Sequence, residues 1–281
     1  TAKATKAVKP SVLLIAEPWS FRGRIDDKLG ATSVSCWNDG FRDFIRNYVQ
    51  GKGDAKGALH YLKGSPGKAY ARPSQSINYL ESHDDHCFID AITENPGHDG
   101  TNPTKKDRLR SRLGLAITFM SQGVPMISAG QDFLRSKSGH ANTYQRGDLN
   151  ILDYNRLEKF RDLHEYCRRW IAFRLSKKGS LLRMTEYPQA GFWKEFLAPE
   201  GSAAALLFGA DLPKESHRLL FAVNPESGRS VLPILPESMG TTTLLATAES
   251  FDEQGLDDSF ERTTRGETTL PGLSLALWSL D

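Results

Sequence analysis

The sequence predicts an α/β protein in which parallel strand and helix units precede an antiparallel β region. Residues 12–16 form an uninterrupted apolar run, which is typical of a parallel strand that is covered on both faces. Helix-like and strand-like segments then alternate along the chain to about residue 178. From about residue 179 onward, short apolar runs are separated by Gly, Pro, Asn and Asp, the pattern of antiparallel sheets. We therefore expect two domains, at residues 1–178 and 179–281.

Composition excludes several classes of protein. The 281 residues are 39% hydrophobic and 25% charged, and 36 Lys and Arg against 34 Asp and Glu give a formal net charge of +2. This balance does not indicate a nucleic-acid partner. The longest apolar runs are far shorter than the roughly 20 residues that a membrane-spanning helix needs, so no membrane partner is expected. Cys36, Cys87 and Cys167 are too few and too scattered for a disulfide framework or a zinc site, and we expect them in the core.

The amino-terminal residues 1–10 are predicted to form a basic linker that leads into the first strand. They contain no apolar core of the kind that a secretory signal needs, which favours a cytoplasmic protein. The strand-like segment at residues 11–19 begins abruptly, because no preceding element is predicted for it to pack against. We therefore expect the chain to begin in the middle of a fold.

The next segments alternate between helix and strand. Residues 41–50 place apolar side chains on one helical face, and Gly51 is predicted to end this helix. Residues 51–72 are rich in Gly and Lys, and we expect a long loop there. Residues 76–81 form a strand-like run that ends at the polar residues 82–85, so polar side chains gather at the carboxyl end of this strand.

Two longer helices and one further strand complete the α/β part. A helix is predicted at residues 104–122, with Thr104 and Asp107 in the positions of a capping box. A strand is predicted at residues 125–129, and a second helix at residues 157–175. The repeated order of strand, loop, helix and strand indicates parallel α/β units.

Aromatic residues are frequent in the antiparallel region. We expect them to form the core of a β-sandwich that covers the flank of the α/β part, rather than platforms for sugars. The set comprises Phe192, Trp193, Phe196, Phe208, Phe221 and Trp278.

Acidic residues recur where predicted strands end. Three of them follow strand-like runs: Glu17, Asp84 and Asp132. In a barrel of parallel strands, the active site is built from the carboxyl ends of the strands, so these groups would converge. Converging acids suit glycoside hydrolysis, in which one carboxylic acid protonates the leaving oxygen and others stabilise an oxocarbenium-like centre. The alternative for any one of them is a structural role as a helix N-cap.

Four stretches, with two short ones downstream, carry a family resemblance: residues 15–19 (IAEPW), 37–43 (WNDGFRD), 78–85 (NYLESHDD) and 130–137 (GQDFLRSK), then 142–144 (NTY) and 148–150 (DLN). Together they resemble the debranching branch of glycoside hydrolase family 13, the α-amylase superfamily, which contains isoamylases, pullulanases and glycogen-debranching enzymes. The resemblance implies that residues 1–178 are the second half of a TIM-type (β/α)8 barrel. It implies that residues 179–281 are the carboxyl-terminal β-sandwich domain.

The resemblance also implies roles for two carboxylates. Glu17 corresponds to the general acid/base of the family. Asp84 corresponds to the third carboxylate, which accepts hydrogen bonds from sugar hydroxyls that strengthen as the sugar ring flattens. A carboxylic acid must remain protonated near neutral pH in order to donate a proton, so we expect Glu17 to be buried or to lie near other anions.

Five further residues are predicted to bind the substrate. The resemblance implies that His83 donates to sugar hydroxyls and that Trp19 and Tyr79 offer ring faces to sugars, with core packing as the alternative for both aromatics. Asp148 and Asn150 belong to the downstream part of the resemblance and are predicted to contact the glucan. No catalytic metal and no cofactor are expected, and a structural calcium ion is left open.

The nucleophile of this family has no counterpart in the sequence. A retaining mechanism requires a nucleophilic aspartate, and the family carries it in a Gly-x-Arg-x-Asp pattern after the strand that precedes the Glu17 strand. Residues 23–26 (GRID) resemble that pattern superficially, but they follow Glu17, and Asp26 is therefore treated as a false match. We expect the nucleophile to come from the missing amino-terminal half of the barrel, supplied by another chain or by a preceding segment.

These inferences predict an enzyme whose partner is an α-glucan. The expected reaction is retaining hydrolysis of α-1,6 branch links in glycogen, starch or pullulan, with this segment inactive when it is alone. Two alternatives are kept. An α-1,4 hydrolase or a transferase of the same superfamily would carry the same motifs, and a non-catalytic glucan-binding or scaffold subunit would keep the sugar contacts without the nucleophile.

Overall fold

The structure is a computed structural model of the chain, and it describes residues 2–213 and 215–281. In the first part of the chain the helices and strands are α1 (Ala2–Val8), β1 (Ile15–Ala16), β2 (Trp19–Ser20), β3 (Gly23–Arg24), α2 (Asp26–Leu29), β4 (Ser35–Asn38), α3 (Asp39–Tyr48), α4 (Ala55–Leu62), β5 (Ser76–Asn78), α5 (Phe88–Ile92), α6 (Lys105–Met120), β6 (Val124–Pro125), α7 (Asn155–Lys159) and α8 (Arg161–Leu175). The later part contains the strands β7 (Trp193–Leu197), β8 (Ala204–Phe208), β9 (Arg218–Asn224), β10 (Ser230–Leu232), β11 (Thr242–Thr247), β12 (Glu261–Arg262), β13 (Thr268–Leu270) and β14 (Ser274–Leu280).

A parallel sheet of four strands forms the centre of the first part. Its strands lie in the order β1, β4, β5, β6, and every neighbouring pair is parallel. Because the strands are parallel, their carboxyl ends all lie at the same edge of the sheet. The predicted parallel α/β units are confirmed, and this shared edge is where the polar residues that follow the strands gather.

The two helices with the clearest start signals are confirmed. Helix α3 begins after Asn38, whose side-chain oxygen accepts a hydrogen bond from the backbone N–H of Phe41 at 2.9 Å. Its buried side chains lie on one face, as the apolar spacing predicts. Helix α6 begins with the predicted capping box, in which Thr104 and Asp107 bind each other's backbone N–H groups at 3.1 and 3.0 Å.

Two loop predictions are wrong. Residues 51–72, expected to be a long loop, contain helix α4, which Asp54 caps by accepting from the N–H of Gly57 at 2.8 Å. The apolar side chains of this helix are buried at helical spacing, and their packing outweighs the low helix propensity of glycine. At the amino terminus, helix α1 occupies most of the expected linker at residues 1–10, while Thr1 lies outside the described residues.

Four elements differ in extent from the sequence prediction, and one of them is β5, which covers only the first half of the strand expected at residues 76–81. The strand expected at residues 12–16 is reduced to the two residues of β1, which ends one side of the sheet. The strand expected at residues 125–129 is reduced to β6, which ends the other side. An edge strand has a pairing partner on one side, so less of its length is held in regular geometry. The helix expected at residues 157–175 is divided into α7 and α8 at Phe160, whose φ is −122° and whose ψ is 33°.

The later part of the chain is antiparallel, as predicted. One sheet has the strand order β11, β14, β9, β8, β7, and a smaller sheet has the order β10, β13, β12. One face of the larger sheet packs against the helices of the first part, and its other face packs against the smaller sheet. Of the predicted core aromatics, Trp193 is half-buried and the others are buried. The boundary between residues 178 and 179 stays a prediction.

Two expectations from composition bear on the whole chain. Cys36, Cys87 and Cys167 are buried and free, as expected of small core residues. Among residues 2–213 and 215–281, no helix combines the length and the apolar character that crossing a membrane requires.

Candidate active site

The candidate active site lies at the carboxyl edge of the parallel sheet. Glu17 directly follows β1, and His83 and Asp84 lie in the turn after β5. One carboxylate oxygen of Glu17, one ring nitrogen of His83 and one carboxylate oxygen of Asp84 lie within 4.8 Å of one another. We call these three residues the strand-end cluster. The convergence that strand-end positions predict is therefore present.

The strand-end cluster is open to solvent. Glu17 and His83 are exposed and Asp84 is half-buried. Burial of Glu17, one of two conditions expected of a general acid, is absent in this chain because β1 is the end strand of the sheet. Asp84 supplies a neighbouring carboxylate, and the role of Glu17 as the acid stays a prediction. His83 Nε2 lies 3.6 Å from Asp84 Oδ1, so the two side chains point to the same opening.

The spacing of the strand-end cluster would also allow its three groups to share a metal ion. Carboxylate oxygens and an imidazole nitrogen are common ligands of divalent metals. A metal site, however, is defined by a full ligand set with supporting hydrogen bonds, and two of these three side chains are exposed. The cluster therefore carries no metal assignment, and the absence of a catalytic metal stays a prediction.

An aromatic group lies beside the strand-end cluster. The ring centroid of Trp37 is 5.7 Å from that of His83 and 6.0 Å from that of Trp19. Trp19 is half-buried in β2, and the guanidinium of Arg24 lies 5.7 Å from its ring centroid. Trp37 was not predicted as a site residue. The available signal was its position one residue before the end of β4, where side chains of a parallel sheet reach the site.

Tyr79, predicted to offer a ring face to a sugar, is fully buried. Its ring centroid lies 5.4 Å from that of Trp37. The guanidinium of Arg42 lies 5.6 Å from the ring centroid of Tyr79. The hydroxyl of Tyr79 accepts a hydrogen bond from Arg42 Nη1 at 3.2 Å. Burial raises the pKa of Tyr79 to about 12. The core-packing alternative describes this residue, and its ring has no face available for direct contact with a sugar.

Asp26, dismissed as a false match to the nucleophile, is engaged by a neighbouring cation. It begins helix α2, and its carboxylate lies 2.7 Å from Arg24 Nη2. Arg24 also binds Asp39, with Nη1 and Oδ2 2.6 Å apart. The hydrogen bond from Arg24 holds the pKa of Asp26 below its usual value. Both carboxylates line a cavity of about 560 Å³ whose lining includes no member of the strand-end cluster.

Asp148 and Asn150, both predicted to bind substrate, lie in the loop between β6 and α7. Asp148 is exposed and pairs with Arg146 at 2.7 Å. The side chain of Asn150 accepts from the hydroxyl of Thr143 at 2.8 Å and donates to the Thr143 carbonyl oxygen at 2.7 Å. These contacts stabilise the loop itself and do not join it to the strand-end cluster. A contact with the substrate stays a prediction for both residues.

Asp132, the third acid predicted at a strand end, is not part of the strand-end cluster. It lies in the short 3₁₀ turn Gln131–Phe133, and its Oδ2 is 2.6 Å from His164 Nδ1 in α8. The pair connects the segment after β6 to a helix of the first part. A structural role at a helical turn therefore describes Asp132 better than a place in the site.

A buried carboxylate, Glu81, lies directly before the turn of the strand-end cluster. Its Oε2 accepts a hydrogen bond from the backbone N–H of Phe88, which closes the turn. Arg46 donates to the carbonyl oxygens of Leu80 and His86 at 2.8 and 3.0 Å. Burial raises the pKa of Glu81 to about 7, against the opposing effects of the Phe88 N–H and the Arg46 charge. Nothing in the local sequence marks this role, because the partners lie across the turn.

Comparison with known proteins shows which sequences and structures this chain resembles. No protein-family model matches the chain. Its homologues over about 64% of its length are pullulanase, isoamylase and GlgX proteins, the debranching enzymes of glycoside hydrolase family 13. The resemblance seen in the motifs is therefore confirmed.

Two relatives show how far the similarity extends. Pullulanase of Bacillus subtilis strain 168 is 38% identical over 205 residues, which are 64% of this chain and 28% of that protein. Isoamylase 1 of Oryza sativa subsp. japonica is 28% identical over 212 residues, which are 64% of this chain and 26% of that protein. The chain thus spans little more than a quarter of the length of the curated relatives that it matches.

Solved structures share the fold. Pullulanase from Bacillus acidopullulyticus matches with a TM-score of 0.80 and 22% identity, over 99% of this chain and 35% of that one. Pullulanase type I from Bacillus subtilis strain 168, complexed with maltose, matches with a TM-score of 0.77 and 24% identity, over 99% of this chain and 41% of that one. These structures establish a pullulanase-type fold for the chain.

Proposed function

We propose that this chain supplies the general acid and the third carboxylate of a retaining debranching hydrolase that acts on α-glucans. The observation that carries the proposal is the strand-end cluster, in which Glu17, His83 and Asp84 converge within 4.8 Å from two separate parts of the chain. A general acid at the carboxyl edge of parallel strands, beside a carboxylate that binds sugar hydroxyls, supplies two of the three carboxylates that the proposed mechanism uses. The homologous debranching enzymes support the same reaction class.

Each member of the strand-end cluster has a distinct task in this proposal. Glu17 donates a proton to the glycosidic oxygen as the bond breaks, and it later takes a proton from the attacking water. Asp84 accepts hydrogen bonds from sugar hydroxyls, and these bonds strengthen as the ring flattens toward an oxocarbenium-like transition state. His83, whose Nε2 lies 3.6 Å from Asp84 Oδ1, donates to a neighbouring hydroxyl. The half-buried rings of Trp19 and Trp37 form the adjacent wall.

The nucleophile comes from outside this chain in the proposal. Leu13, which precedes β1, is 51% exposed, and Ile15, in β1, is 49% exposed. Apolar side chains of a parallel strand are ordinarily covered on both faces, so β1 has an uncovered edge against which a further strand would fit. We infer that the amino-terminal half of a (β/α)8 barrel covers this edge and delivers the aspartate. Residues 1–178 are then the second half of that barrel, and residues 179–281 its β-sandwich domain.

The proposed substrates are the α-1,6 branch links of glycogen, starch or pullulan. The names of the relatives, pullulanase, isoamylase and a glycogen operon protein, support this class. An α-1,4 hydrolase or a transferase of the same superfamily would use the same cluster. Assays on pullulan and amylose distinguish α-1,6 from α-1,4 specificity. An enzyme specific for α-1,6 links cleaves pullulan and leaves linear amylose unchanged.

A non-catalytic glucan-binding or scaffold subunit is the second candidate function. The observation that favours it is the exposure of Glu17, because a general acid is expected to be buried. A binding site, however, has no chemical need for a general acid beside a second carboxylate. This candidate predicts that the intact protein binds glucan without turnover and that Glu17→Gln leaves binding unchanged.

A cytoplasmic location also stays a prediction.

The test replaces Glu17 in the intact protein that carries this segment. Glu17→Gln removes the acidic proton and keeps the size of the side chain, so turnover of a branched glucan should fall about 10²- to 10⁴-fold. Asp26→Asn is the matched control and should keep turnover within about tenfold, because a residue without a chemical role loses no acid catalysis. Turnover by Glu17→Gln within about tenfold of the wild type would contradict the assignment of the acid.

A further inference from the structure

The loop that follows β6 contains a buried lysine. Lys137 is 1% exposed, and its Nζ donates a hydrogen bond to the backbone carbonyl oxygen of Asp85 at 2.5 Å. Among residues 2–213 and 215–281, no carboxylate oxygen lies within 4.0 Å of this ammonium group. Lys137 therefore forms no ion pair with the described residues. A buried ammonium group without a counter-ion gives up hydration that one carbonyl oxygen replaces only in part. The hydrogen bond to Asp85 is therefore the specific task that this side chain performs.

The backbone of Lys137 is held by a second buried group. Asp90 in α5 is fully buried, and its Oδ2 accepts from the N–H of Lys137 at 2.7 Å. Its Oδ1 accepts from the hydroxyl of Ser136 at 2.6 Å and from the N–H of Gly100 at 2.9 Å. The lysine thus extends from a fixed backbone position, which lets its ammonium group fix another part of the chain.

The loop at residues 130–142 holds both peptide groups of Asp85. Lys137 binds its carbonyl oxygen, and the side-chain oxygen of Asn142 accepts from its N–H at 3.1 Å. Asp85 directly follows Asp84 and has a φ of 53°, in the left-handed region that few residues other than glycine adopt. With both of these peptide groups held, the direction in which the Asp84 side chain leaves the turn is constrained as well.

The same loop has a strained backbone of its own. Leu134, Ser138 and Asn142 have φ values of 58°, 51° and 50°, all in the left-handed region. The guanidinium of Arg156 donates to the carbonyl oxygen of Leu134, with Nε at 2.9 Å. Strained residues persist where the surrounding contacts over-determine them, and they are concentrated at functional sites. The strain and the buried contacts together indicate that this loop is built to hold the turn after β5.

We propose that Lys137 is a positioning residue that orients Asp84 for catalysis. The inference rests on the proposed function, in which Asp84 binds the sugar hydroxyls. Hydrogen bonds that strengthen in the transition state depend on geometry, and a displacement of about 1 Å can cost about 10²-fold in rate. Without the Lys137 donor, one peptide group of Asp85 is released and Asp84 is no longer held in one direction. The maximal rate then falls more than substrate affinity.

The test uses the intact protein with pullulan as the probe substrate. Lys137→Met removes the ammonium group and keeps an unbranched side chain, and kcat should fall about 10- to 100-fold while KM changes less than about threefold. Lys137→Arg keeps a charged donor and should regain part of the lost kcat. Lys56→Met, at an exposed position of α4, is the matched control and should leave both constants unchanged.

A double-mutant cycle with Asp84→Asn distinguishes positioning from general damage. If Lys137 acts through Asp84, Lys137→Met should lower the residual kcat of the Asp84→Asn protein less than about threefold. If Lys137→Met lowers kcat by about 10- to 100-fold both in the wild-type protein and in the Asp84→Asn protein, the proposal is overturned. A wild-type kcat for Lys137→Met beside an inactive Asp84→Asn protein would overturn it as well.

Two outcomes need separate treatment. If the melting curve shows that Lys137→Met does not fold, Asn142→Gly releases the other peptide group of Asp85 and suits the left-handed backbone there. This variant should lower kcat with little change in KM, and an unchanged kcat would overturn the proposal. A wild-type kcat for Asp84→Asn would overturn the proposed function itself and this inference with it, whatever Lys137→Met does.

Discussion

The two main sheets of this chain differ in how completely they are covered. In the larger antiparallel sheet, every residue of β8 and β9 is buried. In the parallel sheet, β5 is fully buried, whereas neither residue of β1 is. The antiparallel sheet finds cover within the chain, from helices on one face and from the smaller sheet on the other. The parallel sheet lacks such cover at β1.

This difference separates the part of the chain that stabilises the fold from the part that carries the chemistry in our proposal. Glu17 directly follows β1, the less covered strand, so the strand-end cluster lies where the parallel sheet is least complete. Burial of apolar surface stabilises a protein by about 25 cal/mol per Å², and an exposed apolar strand forgoes that contribution. In our proposal, the covering segment completes the core and the active site in one step.

The largest effect is expected in the well-covered antiparallel region. Trp278 is fully buried between the two antiparallel sheets, and its Nε1 donates to Asp258 Oδ2 at 2.7 Å. Trp278→Ala should lower the free energy of unfolding by about 3–5 kcal/mol, because it leaves a large cavity and removes the hydrogen bond to Asp258. Denaturant unfolding of the intact protein measures the free energy of unfolding. The control is Tyr144→Ala at an exposed position, which should stay within about 0.5 kcal/mol of the wild type. A loss below about 1 kcal/mol for Trp278→Ala would contradict the stabilising role.

The next effect depends on whether β1 is covered. In residues 1–281 alone, Ile15 is half-exposed, so Ile15→Ala should lower the free energy of unfolding by less than about 1 kcal/mol. In the intact protein the same change should cost at least about 2 kcal/mol, because the side chain is then in a core. Parallel denaturant unfolding of both forms provides the comparison. Equal costs would show that nothing covers β1.

The smallest effect, a change in stability per pH unit, concerns the buried acid below the strand-end cluster. Burial raises the pKa of Glu81 to about 7, above its ordinary value of 4.5. Between these values the unfolded chain releases the proton while the folded protein retains it, so stability falls as the pH rises from 4.5 to about 7. Glu81→Gln should remove this decline, whose slope is at most about 1.4 kcal/mol per pH unit. Urea unfolding at a series of pH values measures the slope, and an identical slope in variant and wild type would refute the assignment.

Part of the site was accessible from sequence because strand ends are marked locally. An apolar run followed by Glu17, and a second one followed by His83 and Asp84, locate these residues at one edge of a parallel sheet. The motifs add a chemical role to that position. Helix α3 was accessible for a similar reason, since its apolar spacing lies within one short segment.

The rest depends on contacts between segments that are distant in the chain. From sequence, Lys137 resembles a surface residue in a polar loop. It is buried because folding brings it against Asp85, which lies 52 positions earlier in the chain. Glu81 and Tyr79 likewise take their surroundings from other elements. Helix α4 was missed because glycine and lysine suggest a loop, whereas its stability comes from packing against the core.

The central claim is that the active site is completed from outside these residues, and turnover of pullulan by residues 1–281 alone tests it most directly. A retaining mechanism needs an acid and a nucleophile about 5 Å apart, so the isolated segment should show turnover several orders of magnitude below that of the intact protein. Adding a separately produced amino-terminal half of the barrel should restore part of that activity. Full activity of the purified 281-residue segment alone would contradict the claim, and it would make Asp26, Asp27 and Asp39 the candidate nucleophiles.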